Sequence, residues 1–249
     1  MLRFALNSFQ LVKAGNADAE YEDAVALDAE RARFAVADGA TESAFAGLWA
    51  NLVTRGFVDA PPGQPAKDWL SERQTEWRQA VPWDSLPWYG RAKAATGSYC
   101  TFLGLGFALS PDEDEIPWRA MAVGDCCLFH VRGLELMRSF PMTQSSDFGN
   151  RPRLMGSVPG VCPRLPRGLK GLRGHCLPGD LFVLATDALG QWCLTALEAG
   201  EPPWPTLRDL QTQDQFAGWI GFLREQGHLR NDDVTLVVLE PQHELARPF

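Results

Sequence analysis

The sequence lacks long apolar runs, clustered cysteines and an excess of positive charge. No apolar stretch reaches the roughly 18 residues of a membrane-spanning helix, and the N-terminal runs are too short for a signal peptide. The six cysteines are scattered without a CxxC pair, which predicts reduced, mostly buried thiols. Acidic residues outnumber basic ones by 31 to 23, and the net charge of −8 argues against a nucleic-acid-binding face. We therefore predict a soluble, cytoplasmic protein that binds neither nucleic acid nor membrane.

What the sequence does contain is enough apolar material for a large core. It has 249 residues, is 45% hydrophobic and includes nine tryptophans, which predicts a single domain over residues 1–249. Runs rich in Val, Phe, Leu and Thr predict strands at 2–12, 24–28, 33–38, 101–109, 119–133, 179–187 and 233–240. One-faced apolar stripes predict helices at 41–57 (capped by Thr41), near 65–80, after Asp187 and at 214–227. This mixture predicts a layered α+β fold with tryptophans in its core.

The segment 141–178 differs from the rest of the chain. It contains six prolines together with several glycines and arginines. Prolines remove the amide donors that a sheet needs, so we expect an extended surface loop or flap that belongs to neither sheet.

Acidic residues recur at the ends of the predicted strands. In "FAVADGATES", Asp38 ends a strand beside Gly39, and a single such acid is usually a turn residue. The pattern, however, occurs at five strands, through Glu22 with Asp23, and through Asp38, Asp125, Asp187 and Asp232. If these ends converge, they form a cluster of oxygen ligands without His or Cys. Such a cluster favours Mg²⁺ or Mn²⁺ over Zn²⁺.

Six short motifs then carry a resemblance to a known family. They are "EYEDA", "FAVADGA", "GSYCTFLGLG", "AVGDCCLFHVRG", "LFVLATDALGQW" and "NDDVTLVVLE". Their order over residues 13–240 resembles the bacterial members of the metal-dependent PPM-type Ser/Thr protein phosphatases, the phosphatase 2C family. The resemblance implies an αββα four-layer sandwich, in which two central, mostly antiparallel β-sheets are flanked by helix pairs and bind metals at one end.

The resemblance also implies a set of metal ligands for two Mn²⁺ or Mg²⁺ ions: Glu22, Asp23, Asp38, Gly39, Asp187 and Asp232. Within this set Glu22 binds through water and Gly39 through its carbonyl, while Asp38 and Asp187 carry the catalytic centre. Asp125 would hold a third, weaker ion together with Asp187.

The sequence departs from the family pattern at several positions. The phosphate-binding Arg that the family places before the acidic motif is Asp18 here, and Lys13 is the nearest replacement. A lysine offers phosphate a point charge rather than a bidentate fork. "DGATES" also lacks the His of animal members, Ala188 stands where Gly is usual, and Asp233 where Asn is usual.

Two functions remain open at this point. The first is metal-dependent hydrolysis of phosphoserine or phosphothreonine in a protein substrate, by a water that two ions activate. The alternative is a non-catalytic domain that binds a phosphoprotein or a partner Ser/Thr kinase, which the missing arginine favours and the intact acidic set opposes. A purely structural metal site is a poorer third reading, because open carboxylate sites bind Mg²⁺ weakly. Cysteine and histidine chemistry is not expected, since these residues lie in strand motifs or are scattered.

Overall fold

The computed structural model describes residues 2–61, 64, 66–108, 115–149, 151–159 and 168–243. Its strands are β1 (Leu2–Leu11), β2 (Ala24–Asp28), β3 (Arg33–Ala37), β4 (Tyr99–Cys100), β5 (Phe102–Phe107), β6 (Ile116–Val123), β7 (Cys127–Arg132), β8 (Glu135–Phe140), β9 (Met155–Gly156), β10 (Lys170–Cys176), β11 (Leu181–Ala185) and β12 (Val234–His243). Its helices are α1 (Ala46–Asp59), α2 (Ala66–Ala80), α3 (Trp88–Ala95), α4 (Asp187–Glu198), α5 (Trp204–Asp209) and α6 (Gln213–Glu225).

Two five-stranded antiparallel sheets form the centre of the fold. The first has the order β1-β12-β11-β7-β8 and the second the order β10-β6-β5-β3-β2, while β4 and β9 form a separate short pair. Successive side chains of a strand point to opposite faces. In β3, Phe34 and Val36 therefore pack between the two sheets, whereas Ala35 and Ala37 pack against the helices.

Helices cover the outer face of each sheet. Trp49 of α1, with Trp69 and Trp77 of α2, lies in the core between these helices and the second sheet. Leu189 of α4 and Phe216 of α6 lie in the core against the first sheet. The predicted α+β four-layer sandwich is thus confirmed, and the tryptophans of the α1 and α2 stripes are core residues, as predicted. Trp88 of α3 is an exception, because it is 82% exposed.

Two predicted elements have different bounds in the structure. Helix α1 begins at Ala46 rather than at Thr41, because Phe45 immediately before it adopts a left-handed φ of 61°. The single strand predicted at 119–133 is two strands, β6 and β7, separated by a turn at Gly124, whose φ is +92°. Thr101 lies so close that a Cβ at Gly124 would approach its methyl carbon to 2.6 Å. This turn places Asp125 between the two strands.

The prediction that 141–178 belongs to neither sheet was wrong for its last part. Strand β10 forms an edge of the second sheet and pairs with β6 from Lys170 to Cys176. No proline falls inside β10, and an edge strand needs ladder partners on one side only. The remainder of the segment contributes only the two-residue strand β9 in its described part, and residues 160–167 lie outside the described residues.

Helix length bears on the membrane prediction. Among the described residues, no helix is long and apolar enough to cross a membrane.

Candidate metal centre

Acidic side chains from five segments meet at one end of the sheets. Asp23 directly precedes β2 and Asp38 directly follows β3, and the neighbouring residues Ala24 and Ala37 are paired across these strands. The charges of four other carboxylates act on Asp38, namely those of Asp23, Asp125, Asp187 and Asp232. The structure therefore brings the predicted strand-end acids together.

The Asp38–Gly39 backbone is held tightly beside these acids. The Asp38 carbonyl accepts a hydrogen bond from the Thr101 amide at 2.8 Å, and Gly39 pairs with Cys100. A Cβ at Gly39 would lie 2.6 Å from the Glu22 carbonyl oxygen, so no side chain fits there. Burial, and then the surrounding carboxylates, raise the pKa of Asp38 well above its ordinary value.

Asp23 is oriented by two threonine hydroxyls. Its Oδ2 accepts hydrogen bonds from Thr186 at 2.9 Å and from Thr235 at 2.8 Å, and Thr235 in turn contacts the Tyr21 hydroxyl. Its Oδ1 is buried and has no hydrogen-bond partner in the described part of the chain. Burial raises the pKa of Asp23 well above its ordinary value, although the threonine hydrogen bonds oppose this shift. One oxygen is thus fixed by the fold, and the other could bind a cation.

Asp125 and Glu22 show the same unsatisfied state. Asp125 is only 2% exposed, and burial followed by the charge of Asp187 raises the pKa of Asp125 to about 7. One buried carboxylate oxygen of each residue, Oδ1 of Asp125 and Oε2 of Glu22, lacks a partner among the residues described. Buried carboxylates normally have their oxygens hydrogen-bonded, so these orphan atoms need an explanation.

One cation at the acidic end, Arg230, was not among the predicted site residues. The Arg230 guanidinium contacts the carboxylate of Asp187 and lies 3.2 Å from that of Asp232. Its charge lowers the pKa of Asp232, although burial and Asp187 together raise that pKa above its ordinary value. The motif "LRNDD" could have shown this residue, because Arg230 lies two positions before a predicted ligand.

The oxygen donors suit a hard divalent cation, although they are not closed around one. Within the described residues, no three Asp, Glu, His or Cys side chains are grouped closely enough to hold a metal ion as they stand. Two of the predicted ligands, Asp187 and Asp232, are instead paired with Arg230. The fit rests on the orphan oxygens of Glu22, Asp23 and Asp125 and on a donor set made of oxygen alone.

Asp233 links the candidate phosphate-binding segment to the acidic end. Its two carboxylate oxygens accept hydrogen bonds from the backbone amides of Lys13, at 2.8 Å, and of Glu22, at 2.7 Å. Lys13 opens a turn in which the Asn16 amide bonds to its carbonyl, as the "AGN" sequence predicts. The positive charge of Lys13 also lowers the pKa of Asp232, so this lysine lies on the acidic side of the molecule.

Other candidate side chains are poorly suited to this chemistry. Asp18, which occupies the family's arginine position, is exposed in a short 3₁₀ turn. Cys100, Cys126 and Cys127 are buried, and burial raises the pKa of each thiol, which makes a poor nucleophile. His130 is held by Asp180 inside the fold, as expected for a structural histidine.

Similarity to known proteins is found at the level of structure. Comparisons with protein-family models and with curated proteins gave no match. PppA, a regulatory component of the type VI secretion system (T6SS) in Pseudomonas aeruginosa, is 19% identical, with a TM-score of 0.60 over 97% of this chain and 100% of that chain. The catalytic domain of the Ser/Thr phosphatase PstP, solved with two manganese ions, is 17% identical, with a TM-score of 0.61 over 97% and 100%. The phosphatase domain of SpoIIE from Bacillus subtilis is 15% identical, with a TM-score of 0.51 over 99% and 95%.

These similarities establish the class of fold. The chain has the αββα sandwich of the phosphatase 2C-type Ser/Thr phosphatases over nearly its whole length. The resemblance carried by the six motifs is therefore confirmed as a relation of fold.

Proposed function

We propose that this protein is a metal-dependent Ser/Thr protein phosphatase that hydrolyses phosphoserine or phosphothreonine in a protein substrate. The observation that carries the proposal is the set of carboxylates at one end of the sheets. Several are buried with unpartnered oxygens and raised pKa values, in the fold of known Ser/Thr phosphatases. A fold that gains only stability from such groups would pair them or leave them in water.

Two Mn²⁺ or Mg²⁺ ions would be held by the oxygens of Asp23, Asp38, Gly39, Asp187 and Asp232, with Glu22 acting through water. Asp125 and Asp187 would hold a third, weaker ion. When bound, such ions acidify a water molecule for attack on phosphorus and neutralise the charge that develops on the phosphoryl oxygens. One solved structure of this fold, that of PstP, is a complex with two manganese ions.

The chain itself supplies orientation. Thr186 and Thr235 fix one oxygen of Asp23, so its second oxygen has a defined direction. Gly39 lets the backbone approach Glu22 without a side chain in between. Asp233 ties the Lys13 turn to the backbone of Glu22 and thereby sets the distance between these segments. These contacts support the proposal, because they would orient Asp23, Gly39 and Glu22 before an ion binds.

Substrate phosphate would be bound by Lys13 and Arg230. Lys13 is the nearest replacement for the family's arginine, and its backbone is anchored beside the acids. Arg230 already contacts Asp187 and Asp232, and it brings the planar fork of donors that suits a phosphate. Divalent ions at these two carboxylates would compete with Arg230 for them, leaving the guanidinium to pair with an anionic substrate.

The alternative function is a non-catalytic domain that binds a phosphoprotein or a cognate kinase. Asp18 at the arginine position favours it, because a carboxylate there does not attract phosphate. The orphan oxygens oppose it, because binding a phosphoprotein gives no reason to keep unpaired buried carboxylates. The two functions differ in turnover, which is directly measurable.

A cytoplasmic location and a phosphoprotein partner remain part of the proposal. Five of the six cysteines lie in the described residues, and all five are free and buried, as expected in a reducing compartment. One structural neighbour, PppA, is a regulatory component of a secretion system. A regulatory phosphoprotein and its kinase are therefore the partners that we propose.

The deciding experiment is phosphate release from a phosphothreonine peptide by the purified protein with Mn²⁺, followed by addition of a chelator. We expect turnover that stops on chelation and returns with excess Mn²⁺. As a control, the Glu225→Gln variant, which removes the charge of an exposed acid on α6, should release phosphate at the same rate as the unchanged protein. Saturable binding of the peptide without phosphate release would instead establish the non-catalytic alternative.

A further inference from the structure

A groove of about 680 Å³ lies on the outer face of the second sheet, away from the acidic end. One wall is apolar and consists of Phe57 and Ala60 at the end of α1, Pro61, and Trp69 of α2. The floor is the exposed face of β5, β6 and β10. Arg33, which also lines the groove, lies five residues before Asp38 along β3. At about 3.3 Å per residue, the groove is about 17 Å from the acids.

Three arginines cross this floor in a single row. The register pairs Arg33 with Gly106, Gly106 with Arg119, and Arg119 with Arg173. Residues that are paired across neighbouring strands share a face, and neighbouring strands are about 4.8 Å apart. The arginine row (Arg33, Arg119 and Arg173) therefore spans about 14 Å across four strands.

The charges of this row are not balanced by the described part of the chain. Arg119 and Arg173 are exposed and have no ion pair or hydrogen bond there, although they are directly opposite each other. Like charges in direct cross-strand contact destabilise a sheet. Arg33 donates instead to the carbonyls of Phe57 and Ala60, which fixes it at the wall of the groove. A pair of arginines that the described residues leave unbalanced, in a chain of net charge −8, indicates an anionic ligand.

The floor beside the arginines is bare backbone. A Cβ at Gly106 would meet no atom nearer than 3.9 Å, and one at Gly171 none nearer than 4.0 Å. Neither glycine has a left-handed φ, so the absence of a side chain is not required by the backbone. The two glycines leave room on both sides of Arg119 for a ligand to lie flat against the sheet.

We propose that this groove binds an extended acidic segment of a partner protein, with an apolar side chain against Phe57. A single phosphate or carboxylate cannot reach along a row of about 14 Å, whereas alternate side chains of an extended segment are about 6.6 Å apart. Nucleic acid is a poorer ligand, since the net charge of −8 repels a long polyanion beyond the groove. The proposal concerns binding alone and holds whether or not the acidic end is catalytic.

The test is fluorescence anisotropy with a labelled peptide of about twelve residues that alternates Glu with Ala around one Phe. A peptide in which Gln replaces every Glu serves as the comparison ligand. We expect the full-length protein to bind the Glu peptide at least tenfold more tightly than the Gln peptide, with an affinity that decreases as salt increases. Equal affinity for the two peptides, or no binding, overturns the proposal.

Variants locate the binding within the molecule. Arg119→Glu with Arg173→Glu should raise the Kd at least tenfold, and Gly171→Phe should do so by filling the floor. Arg55→Glu with Arg78→Glu makes the same change of charge at exposed helix positions and should leave the Kd within twofold. Binding that survives both groove variants contradicts the assignment.

Two further measurements keep the result interpretable. Arg173→Gln removes one of the opposed charges conservatively, so its melting temperature at low salt should equal or exceed that of the unchanged protein while its affinity falls. A lower melting temperature would mean that the row has a structural partner and would overturn the argument from repulsion. Inorganic pyrophosphate that displaces the peptide at peptide-like concentrations would indicate a small-anion site and overturn the protein-segment assignment.

Discussion

Asp125 and Asp180 are two buried aspartates with opposite environments. Asp180 is 3% exposed and accepts hydrogen bonds from His130, from two nitrogens of Arg132 and from the Leu177 amide. Burial alone would raise the pKa of Asp180, but the hydrogen bonds from Arg132 and His130 lower it to about 2. Asp125 is equally buried, has an unpartnered oxygen, and has a pKa raised to about 7.

The comparison separates a carboxylate that the fold fully pairs from one that it leaves with an unpartnered oxygen among the described residues. Both acids lie at the boundary of a strand of the first sheet, so position in the fold does not distinguish them. The difference lies in the donors around each group. The fold gives Asp180 donors for both of its carboxylate oxygens, whereas Oδ1 of Asp125 has none among the described residues, and a backbone hydrogen bond lowers the pKa of Asp125 only in part.

Removing one charge from the acidic end should abolish turnover without loss of the fold. We expect Asp187→Asn and Asp38→Asn each to lower kcat/KM at least a thousandfold, about 4 kcal/mol of transition-state stabilisation. The measurement is phosphopeptide hydrolysis at low Mn²⁺, with circular dichroism as the check on folding. Full activity of Asp187→Asn under these conditions would contradict the site. Without metal, Asp38→Asn should melt no lower than the unchanged protein, because it relieves carboxylate repulsion.

Removing the charge of Asp180 should lower stability while leaving turnover nearly unchanged. Asp180→Asn leaves His130 and Arg132 with a weaker partner, and we expect a loss of about 2–3 kcal/mol in the free energy of unfolding. Activity per folded molecule should remain within about twofold, because none of these groups belongs to the acidic end. Denaturant unfolding and a turnover assay check the two halves. A stable but inactive Asp180→Asn protein would contradict the structural role assigned to Asp180.

The two aspartates should also give stability curves of opposite slope with pH in the absence of metal. The pKa of Asp125 is raised from 3.8 to about 7, so its folded form keeps a proton that the unfolded form releases. Its contribution to stability therefore falls as pH rises from about 4 to about 7. The pKa of Asp180 is lowered to about 2, so its contribution is present above about 4 and is lost as pH falls toward 2.

Urea unfolding of the metal-free protein and of its Asp125→Asn variant at several pH values between 4 and 7 measures the contribution of Asp125 to stability. We expect the variant to gain on the unchanged protein by about 3 kcal/mol between pH 4 and pH 7. A constant difference between the two curves would mean that Asp125 already has a partner in the folded state.

The smallest effect concerns phosphate binding. Lys13→Ala and Arg230→Ala should each lower kcat/KM at least tenfold, about 1.4 kcal/mol, mainly through KM. Arg230→Lys should recover only part of the loss, because a lysine lacks the bidentate fork. A silent Lys13→Ala assigns the phosphate contact to Arg230 alone. If both alanine variants are silent, substrate phosphate is held without either cation.

The sequence was informative wherever the structure is local. The period of two in "RFAVA" gave β3, and the acids that end such runs gave the convergent carboxylates. Strand β10 was not predicted because "KGLRGHC" has two glycines and no alternating apolar pattern. It is recognised as a strand by its pairing with β6.

Features that depend on register across distant segments could not be predicted. The ion pairs of Arg230 exist because β12 returns beside β11, and Asp187 begins α4 shortly after β11. The arginine row exists because separate segments align at one level of the second sheet. The partners of Asp180 come from β7, which is remote in sequence.

If the orphan carboxylate oxygens are metal ligands, the chelator-treated protein should bind Mn²⁺. Calorimetric titration with Mn²⁺ near pH 6.5 measures this binding. Acids with raised pKa values must lose protons when a cation binds. We expect saturable binding of at least two ions per chain, with a heat that changes with the ionisation enthalpy of the buffer. The same stoichiometry should hold for Asp180→Asn and a reduced one for Asp38→Asn. If the protein shows no saturable binding, the orphan oxygens are not metal ligands. The same conclusion follows if Asp38→Asn binds as many ions and releases as many protons as the unchanged protein.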